Sequence, residues 1–353
     1  MRLTSTSFLV VLAGVTVLAM LATLALWGRV PGPRPVKWCA RALMIVLCQL
    51  SAVGLAGAWV NDNYGLYASW NDLLGRGDVI TTTATTPGLP VSRATFAPGA
   101  SGTLTTVFRG SHSRLTGEVV VWTPPGYGAP EHRDTRYPVI MLLHGVPGSP
   151  RSWIEAGGMP DAFRHLVEAN EAEPAILVMP DVTPGGVDTD CTDTRQGDNA
   201  TWLARDVPEL IDHHFRTLHQ RGAWGLMGYS TGGYCAVRLP LEYPGRFAAG
   251  AALDPDRLVG DPDVLQDPAL RERTSPMSLV RNSKADVSLL LATSRQDRNS
   301  PVRYIDEFTQ LAAGTSVKVK TLIVPKGGHN FQTWSAMYPI VIPWLSDQLP
   351  SPS

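Results

Sequence analysis

Gly225-Leu-Met-Gly-Tyr-Ser-Thr-Gly-Gly233 decides how this chain is read. A short apolar strand, Gly225-Leu-Met-Gly228, runs into a stretch that continues as a helix, with Ser230 at the turn between them. The pentapeptide 228–232 matches Gly-x-Ser-x-Gly. With 33 glycines in 353 residues, that pattern alone arises roughly 0.2 times per chain of this composition and carries little by itself. Its context carries more. A strand-to-helix turn of this kind lifts the serine hydroxyl out of the sheet and forces the backbone close, so a side chain at Gly228 or Gly232 would clash. The spacing predicts Ser230 as a nucleophile in a strained conformation.

Working outward, the pattern predicts strands over 119–122, 139–143, 175–179, 248–253, 287–292 and 317–324. Helical spacing predicts helices over 162–169, 202–215, 303–313 and 334–348, besides the one after Ser230. Runs apolar on every residue, such as Val139-Ile-Met-Leu-Leu143, belong in a sheet buried on both faces. Strands alternating with helices predict an α/β domain with a mostly parallel central sheet.

A serine hydroxyl needs a general base. Of the eight histidines, His213 and His214 lie on a predicted helix, His165 and His219 suit a surface, and His112 and His132 precede the core sheet. His329, in Gly327-Gly-His-Asn330, alone occupies a loop just after a late strand. The acid that orients it belongs after the strand between them, which points to Asp297. Asp254 and Asp256 follow a strand one step earlier and stand in reserve; Asp306 and Glu307 fall inside a helix. His144-Gly-Val-Pro-Gly148 follows the buried strand 139–143, and the backbone N–H groups of Val146 and Thr231 are the expected oxyanion donors. For His144 itself a structural bond to its loop is expected. Trp153 and Trp334 are either walls of an acyl site or plain core.

The N-terminus has another character. Residues 8–27 and 42–60 are apolar stretches long enough to cross a bilayer, separated by a loop with Arg29, Arg34, Lys37 and Arg41. Those cations favour a cytoplasmic loop, hence a two-helix transmembrane hairpin with both ends outside. A cleaved signal peptide is the plainer alternative, but only Arg2 charges its start and no small-x-small site closes the apolar run. Leu47 before Cys48 is too large for a lipoprotein signal. Ala52, Gly54, Ala56 and Ala58 suit close helix packing or mere membrane composition. The expected organisation is a membrane hairpin over 1–60, a juxtamembrane segment and linker over 61–102, and a catalytic domain over 103–353. Tyr64, Tyr67 and Trp70 suggest an interfacial helix in the second part.

Of four cysteines, Cys39 and Cys48 lie at or in the second apolar stretch. Cys191 and Cys235 lie in the part expected outside, where an oxidising environment permits a disulfide or leaves two thiols. A bridge would pin the 191 loop beside Ser230. No cysteine or histidine spacing indicates a metal site. The net charge is −1 with 17% charged residues and no basic stripe, which argues against a nucleic-acid partner.

With these parts placed, residues 103–348 resemble the esterase D and mycolyltransferase-antigen family, which includes feruloyl esterases. The resemblance rests on Ser111-His-Ser-Arg114, Val121-Trp-Thr-Pro-Pro-Gly-Tyr127, Tyr137-Pro-Val-Ile-Met-Leu-Leu-His-Gly145, the elbow and Gly327-Gly-His-Asn330. It implies the α/β-hydrolase fold, a Ser230–His329–Asp297 triad, no cofactor and an acyl ester substrate. The hairpin looks like that of actinobacterial envelope esterases, which implies an extracytoplasmic domain held to the cell membrane. The family's mycolyltransferases typically carry Asp-Gly at His144-Gly145 and a glutamate as acid; both departures favour an esterase over an acyltransferase, and a non-catalytic binding module comes last.

Overall fold

The computed structural model describes residues 6–64 and 89–353. The chain divides into two compact units, 1–80 and 81–353. The first holds the helices Thr6–Leu26 and Arg34–Tyr64, both long and apolar enough to cross a membrane. They fit a hairpin. The connecting turn is shorter than expected: the second helix begins at Arg34, so Arg34, Lys37 and Arg41 lie on the helix itself. Gly32, at φ 114°, makes the reversal that a side chain would oppose. Arg41 donates to the Trp27 carbonyl and lies over the Trp27 ring, which ties the two helix ends together. Tyr67, Trp70 and the first part of the expected linker lie outside the described residues.

The second unit is built on one nine-stranded sheet, β1(Ala97–Pro98), β2(Leu104–Arg109), β3(Thr116–Trp122), β4(Val139–Leu143), β5(Ile176–Pro180), β6(Trp224–Tyr229), β7(Ala249–Leu253), β8(Ser288–Ser294) and β9(Lys318–Val324). Their order is β1-β2-β3-β5-β4-β6-β7-β8-β9. From β5 to β9 all neighbours are parallel, while β1 to β3 form an antiparallel edge that joins β5. The central strands β4 and β5 are apolar and buried on every residue because helices cover both faces, while the edge strand β9 alternates with Lys318 and Lys320 and is partly exposed. Val139, Met141 and Leu143 face one core, with Trp202, Tyr234 and Phe308; Ile140 and Leu142 face the other, with Trp153, Phe163 and Trp334.

β4 lies between β5 and β6, so the direction of winding reverses there. Loops leaving the carboxyl ends of β4 and β6 diverge to opposite faces and open a crevice, the usual ligand position in such sheets. Part of the stretch expected as linker is structured: Ala97–Pro98 pairs with β2, Ala94 is buried, and Phe96 packs edge-on against Phe215. The helix expected over 202–215 is interrupted, with one π-helical turn, Trp202–Asp206, before Val207–His214. That turn points the Asp206 carboxylate at the His112 and Ser113 N–H groups, both at 2.9 Å. Two short helices that the sequence did not announce, Pro268–Thr274 and Pro276–Arg281, start at Asp267 and Ser275, whose side chains accept from the first-turn N–H groups.

Candidate active site

Ser230 sits between β6 and the helix Thr231–Glu242, at φ 55° and ψ −126°, a region unfavourable to any residue with a Cβ. Its N–H donates to the Leu253 carbonyl of β7, and its own carbonyl accepts from Tyr234. The neighbouring glycines make the turn possible. A Cβ on Gly228 would lie 2.0 Å from the Gly232 carbonyl oxygen, and one on Gly232 would lie 2.1 Å from that of Leu143. Strand and helix therefore touch backbone to backbone.

His329 leaves β9 in the loop before the helix Phe331–Ser346, and Asn330 caps that helix by accepting from the Thr333 N–H at 3.0 Å. Ser294 Oγ donates to the Gly327 carbonyl at 2.8 Å, binding this loop to the end of β8. The result brings the three predicted residues together. Nε2 of His329 lies 2.8 Å from Ser230 Oγ, and Nδ1 lies 2.8 Å from Asp297 Oδ2. The other oxygen of Asp297 accepts from the Asn299 and Ser300 N–H groups at 2.7 and 3.1 Å, so the carboxylate is held in place from behind.

Burial works to raise the Asp297 carboxyl, but the bond and charge of His329 and the two N–H groups outweigh it and hold the group below the usual carboxylate range. Burial likewise disfavours a charged His329. The hydrogen bond and charge of Asp297, with Asp254 and Asp256 nearby, more than offset this and raise the imidazole above its ordinary value. Asp306 and Glu307 are exposed on the helix Val302–Ala312, far from this role.

The β4 loop meets the serine from the other side. Fully buried His144 is 2.8 Å from the Gly145 carbonyl through Nδ1, and its Nε2 accepts from the Val182 N–H at 2.9 Å. It thus clamps its own loop to the end of β5. Gly145 passes so close that a Cβ there would lie 2.8 Å from Ser230 Cβ. The next residue, Val146, is exposed, and Thr231 opens the helix with its N–H free of an intrahelical acceptor.

Of the two readings open for Trp153 and Trp334, the structure shows core: both are buried and packed against Tyr229, Phe331 and Tyr338. The reserve acids have other partners. Asp254 accepts from the Trp334 indole N–H at 2.7 Å and the Ser294 N–H at 3.2 Å. Asp256 lies 2.7 Å from Thr231 Oγ1, from which it accepts, and 3.3 Å from Ser230 Oγ. It borders a polar cavity of about 650 Å³ also lined by Arg257, Asp261, Arg271, Asn299 and Tyr304. Its sequence signal was the strand end at Leu253, which it shares with Asp254.

Cys191 and Cys235 form a disulfide, with Cα atoms 5.8 Å apart. Asp190 and Cys191 both hold positive φ, and buried Asp190 accepts from the Asp261 N–H, tying the bridged loop to the rim of the cavity. Burial pushes the Asp190 carboxyl up to about 7. Among the described residues, two groups bring His and carboxylate atoms within 4.8 Å of one another as a cation site would: His112 with Asp206 and Glu209, and Asp254 with Asp297 and His329. In the first, Asp206 is already engaged by two backbone N–H groups.

A doubly wound, mostly parallel sheet with a serine at the strained turn after β6 defines an α/β-hydrolase. The Esterase family model matches residues 116–337, and the chain belongs to that family. An uncharacterized protein of Corynebacterium glutamicum is 24% identical over 249 residues, which cover 65% of this chain and 57% of that protein's length. This chain thus spans little more than half of that curated relative. Among solved structures, an S-formylglutathione hydrolase from Agrobacterium tumefaciens superposes with a TM-score of 0.59 at 20% identity, covering 72% of this chain and 99% of the other. A ferulic acid esterase from Anaeromyces mucronatus superposes at 0.57 with 17% identity, covering 73% and 92%. At these identities the likeness speaks for the fold.

Proposed function

We propose that this chain is a serine carboxylesterase that works through an acyl-enzyme, anchored by its N-terminal hairpin with the catalytic unit outside the cytoplasm. The observation that carries the chemistry is the unbroken chain Asp297–His329–Ser230, with both hydrogen bonds at 2.8 Å and the serine at the elbow. Ser230 Oγ attacks the ester carbonyl as its proton passes to His329 Nε2. The N–H groups of Val146 and Thr231 receive the oxyanion, each contributing about 3 kcal/mol to the transition state. His329 then returns the proton to the leaving alkoxide as the carbon–oxygen bond breaks. Water repeats the sequence on the acyl-serine and releases the acid. Asp297 keeps Nδ1 protonated, so that Nε2 faces the serine as a base.

The location is supported by the cations Arg29, Arg34, Lys37 and Arg41, clustered in the turn and at the start of the second apolar helix, and by a disulfide in the catalytic unit. The polar cavity beside Asp256 supports a second reading, acyl transfer to a carbohydrate hydroxyl in place of water. Product analysis with and without a sugar acceptor separates the two.

The primary test uses a fluorophosphonate probe and a short-chain nitrophenyl ester. Ser230→Ala is expected to lose labelling and at least about 10³-fold in kcat/KM. Equal labelling of the wild-type and substituted proteins would remove Ser230 as nucleophile.

A further inference from the structure

Asp254 is fully buried at the carboxyl end of β7 and makes no salt bridge to an Arg or Lys among the described residues. Its backbone holds φ 42°, a left-handed conformation that a residue with a side chain keeps only under constraint. Three bonds supply the constraint. Its N–H donates to the Ala292 carbonyl, Oδ1 accepts from the Ser294 N–H, and Oδ2 accepts from the Trp334 indole. None of these places a cation on a carboxyl group that has been taken out of water.

The group nearest to supplying one is His329. Ligand atoms of Asp254, Asp297 and His329 all lie within 4.8 Å of one another. The indole that donates to Asp254 also stands edge-on to the His329 ring, at 5.3 Å and 86°. The imidazole therefore rests on a ring whose far side is fixed by Asp254. Strands β7 and β8 are parallel neighbours, with Leu253 opposite Ala292, so their ends deliver Asp254 and Asp297 to the same imidazole from adjacent positions.

We propose that Asp254 is a positioning residue for His329, which fixes the imidazole through Trp334 and supplies a second carboxylate that supports the imidazolium when Asp297 is lost. The proposal rests on His329 being the base of Ser230. As the serine proton reaches Nε2, the ring becomes a cation within reach of two carboxyl groups. Burial, reinforced by the Asp297 charge, raises the Asp254 carboxyl to about 7, so it changes charge in the range where His329 works. The acidic groups facing His329 are Asp297 from the β8 loop and Asp254 and Asp256 from the β7 loop, and all three favour its protonated form.

The test compares full-length wild type, Asp254→Asn, Asp297→Asn and the double variant, with kcat/KM for a nitrophenyl ester measured across pH and folding checked by thermal melting. Removing an anion near His329 lowers the imidazole pKa, so the acidic limb of Asp254→Asn is expected to move to lower pH. Asp297→Asn is expected to keep residual activity that the second substitution lowers by a further factor of about 10. An unmoved limb together with a double variant no worse than Asp297→Asn overturns the proposal and leaves Asp254 a packing residue. If Asp254→Asn does not fold, Trp334→Phe keeps an aromatic ring at that position and removes, with part of the indole, the N–H that favours the ionised Asp254. The limb then moves in the same direction, and an unmoved limb overturns the proposal. Ser230→Ala serves as the control. If it retains hydrolysis, the mechanism itself fails and this proposal with it; if it loses hydrolysis, the Asp254 variants decide alone.

Discussion

Ser230 carries a side chain where the backbone, at φ 55° and ψ −126°, favours glycine. Ser230→Gly and Ser230→Ala both remove the nucleophile, yet only the alanine retains the Cβ. In thermal melts the glycine variant is expected to be the more stable of the two by roughly 1 kcal/mol, within the range such strain stores. Equal melting temperatures would show that the turn is relaxed. A second prediction concerns protons. His329 must be neutral to accept from Ser230, and its surroundings hold the protonated form to a higher pH than usual. Activity is therefore absent in acid and recovers as pH rises through a midpoint above the ordinary histidine value of about 6.5. A kcat/KM profile with its acidic midpoint below that value would contradict the arrangement. The three residues of the chain Asp297–His329–Ser230 were legible in the sequence because each follows a strand, in the order this fold requires. The partners of Asp254 and Asp256 were not. Trp334 lies 80 positions from Asp254, and no local spacing announces a contact of that range.

At the level of elements, the sequence pattern marked every parallel strand to within a residue or two, most plainly β4 and β5, because a strand buried on both faces permits little but apolar residues. The Trp202–Asp206 π turn escaped the same reading. Its irregularity places Asp206 under the 112–113 backbone, a tertiary demand that helical periodicity does not record. The bridge between Cys191 and Cys235 joins two such elements, the strained loop and the helix behind Ser230. It closes a loop with a sequence separation of 44. Replacing both cysteines with serine should lower stability by about 4 kcal/mol if the constraint acts on the unfolded chain. Chemical denaturation with an unchanged midpoint in the double variant, matched by an unchanged midpoint of the native protein under reduction, would show that the bridge contributes nothing. Loss of activity ahead of global unfolding would place its effect on the loop, through Asp190 and the 256–261 segment.

Across the whole molecule, two units differ in how they treat their apolar side chains. The catalytic unit encloses two cores on the two faces of its sheet, while the helices Thr6–Leu26 and Arg34–Tyr64 leave Leu18, Leu24, Val53 and many other apolar side chains exposed. In water that surface aggregates; in hydrocarbon it is stable. Full-length protein is expected to sediment with membranes and to need detergent for release. Removal of residues 1–64 should yield hydrolytic activity in the soluble fraction, and full-length protein recovered soluble without detergent would count against the anchor. Composition and periodicity marked the strongly apolar N-terminus and the alternation of strands and helices, and the elbow motif with the loops after later strands marked the serine, acid and base, because each is a local pattern imposed by solvent, by the sheet or by a tight turn. Strand order, the antiparallel edge and the packing of Phe96 and Ala94 came only from the folded structure. So did the surroundings of the two carboxylates, Asp297 bonded to His329 and Asp254 to the Trp334 indole and the Ser294 N–H, because contacts between loops and helices far apart in the chain are set by packing and leave no local pattern.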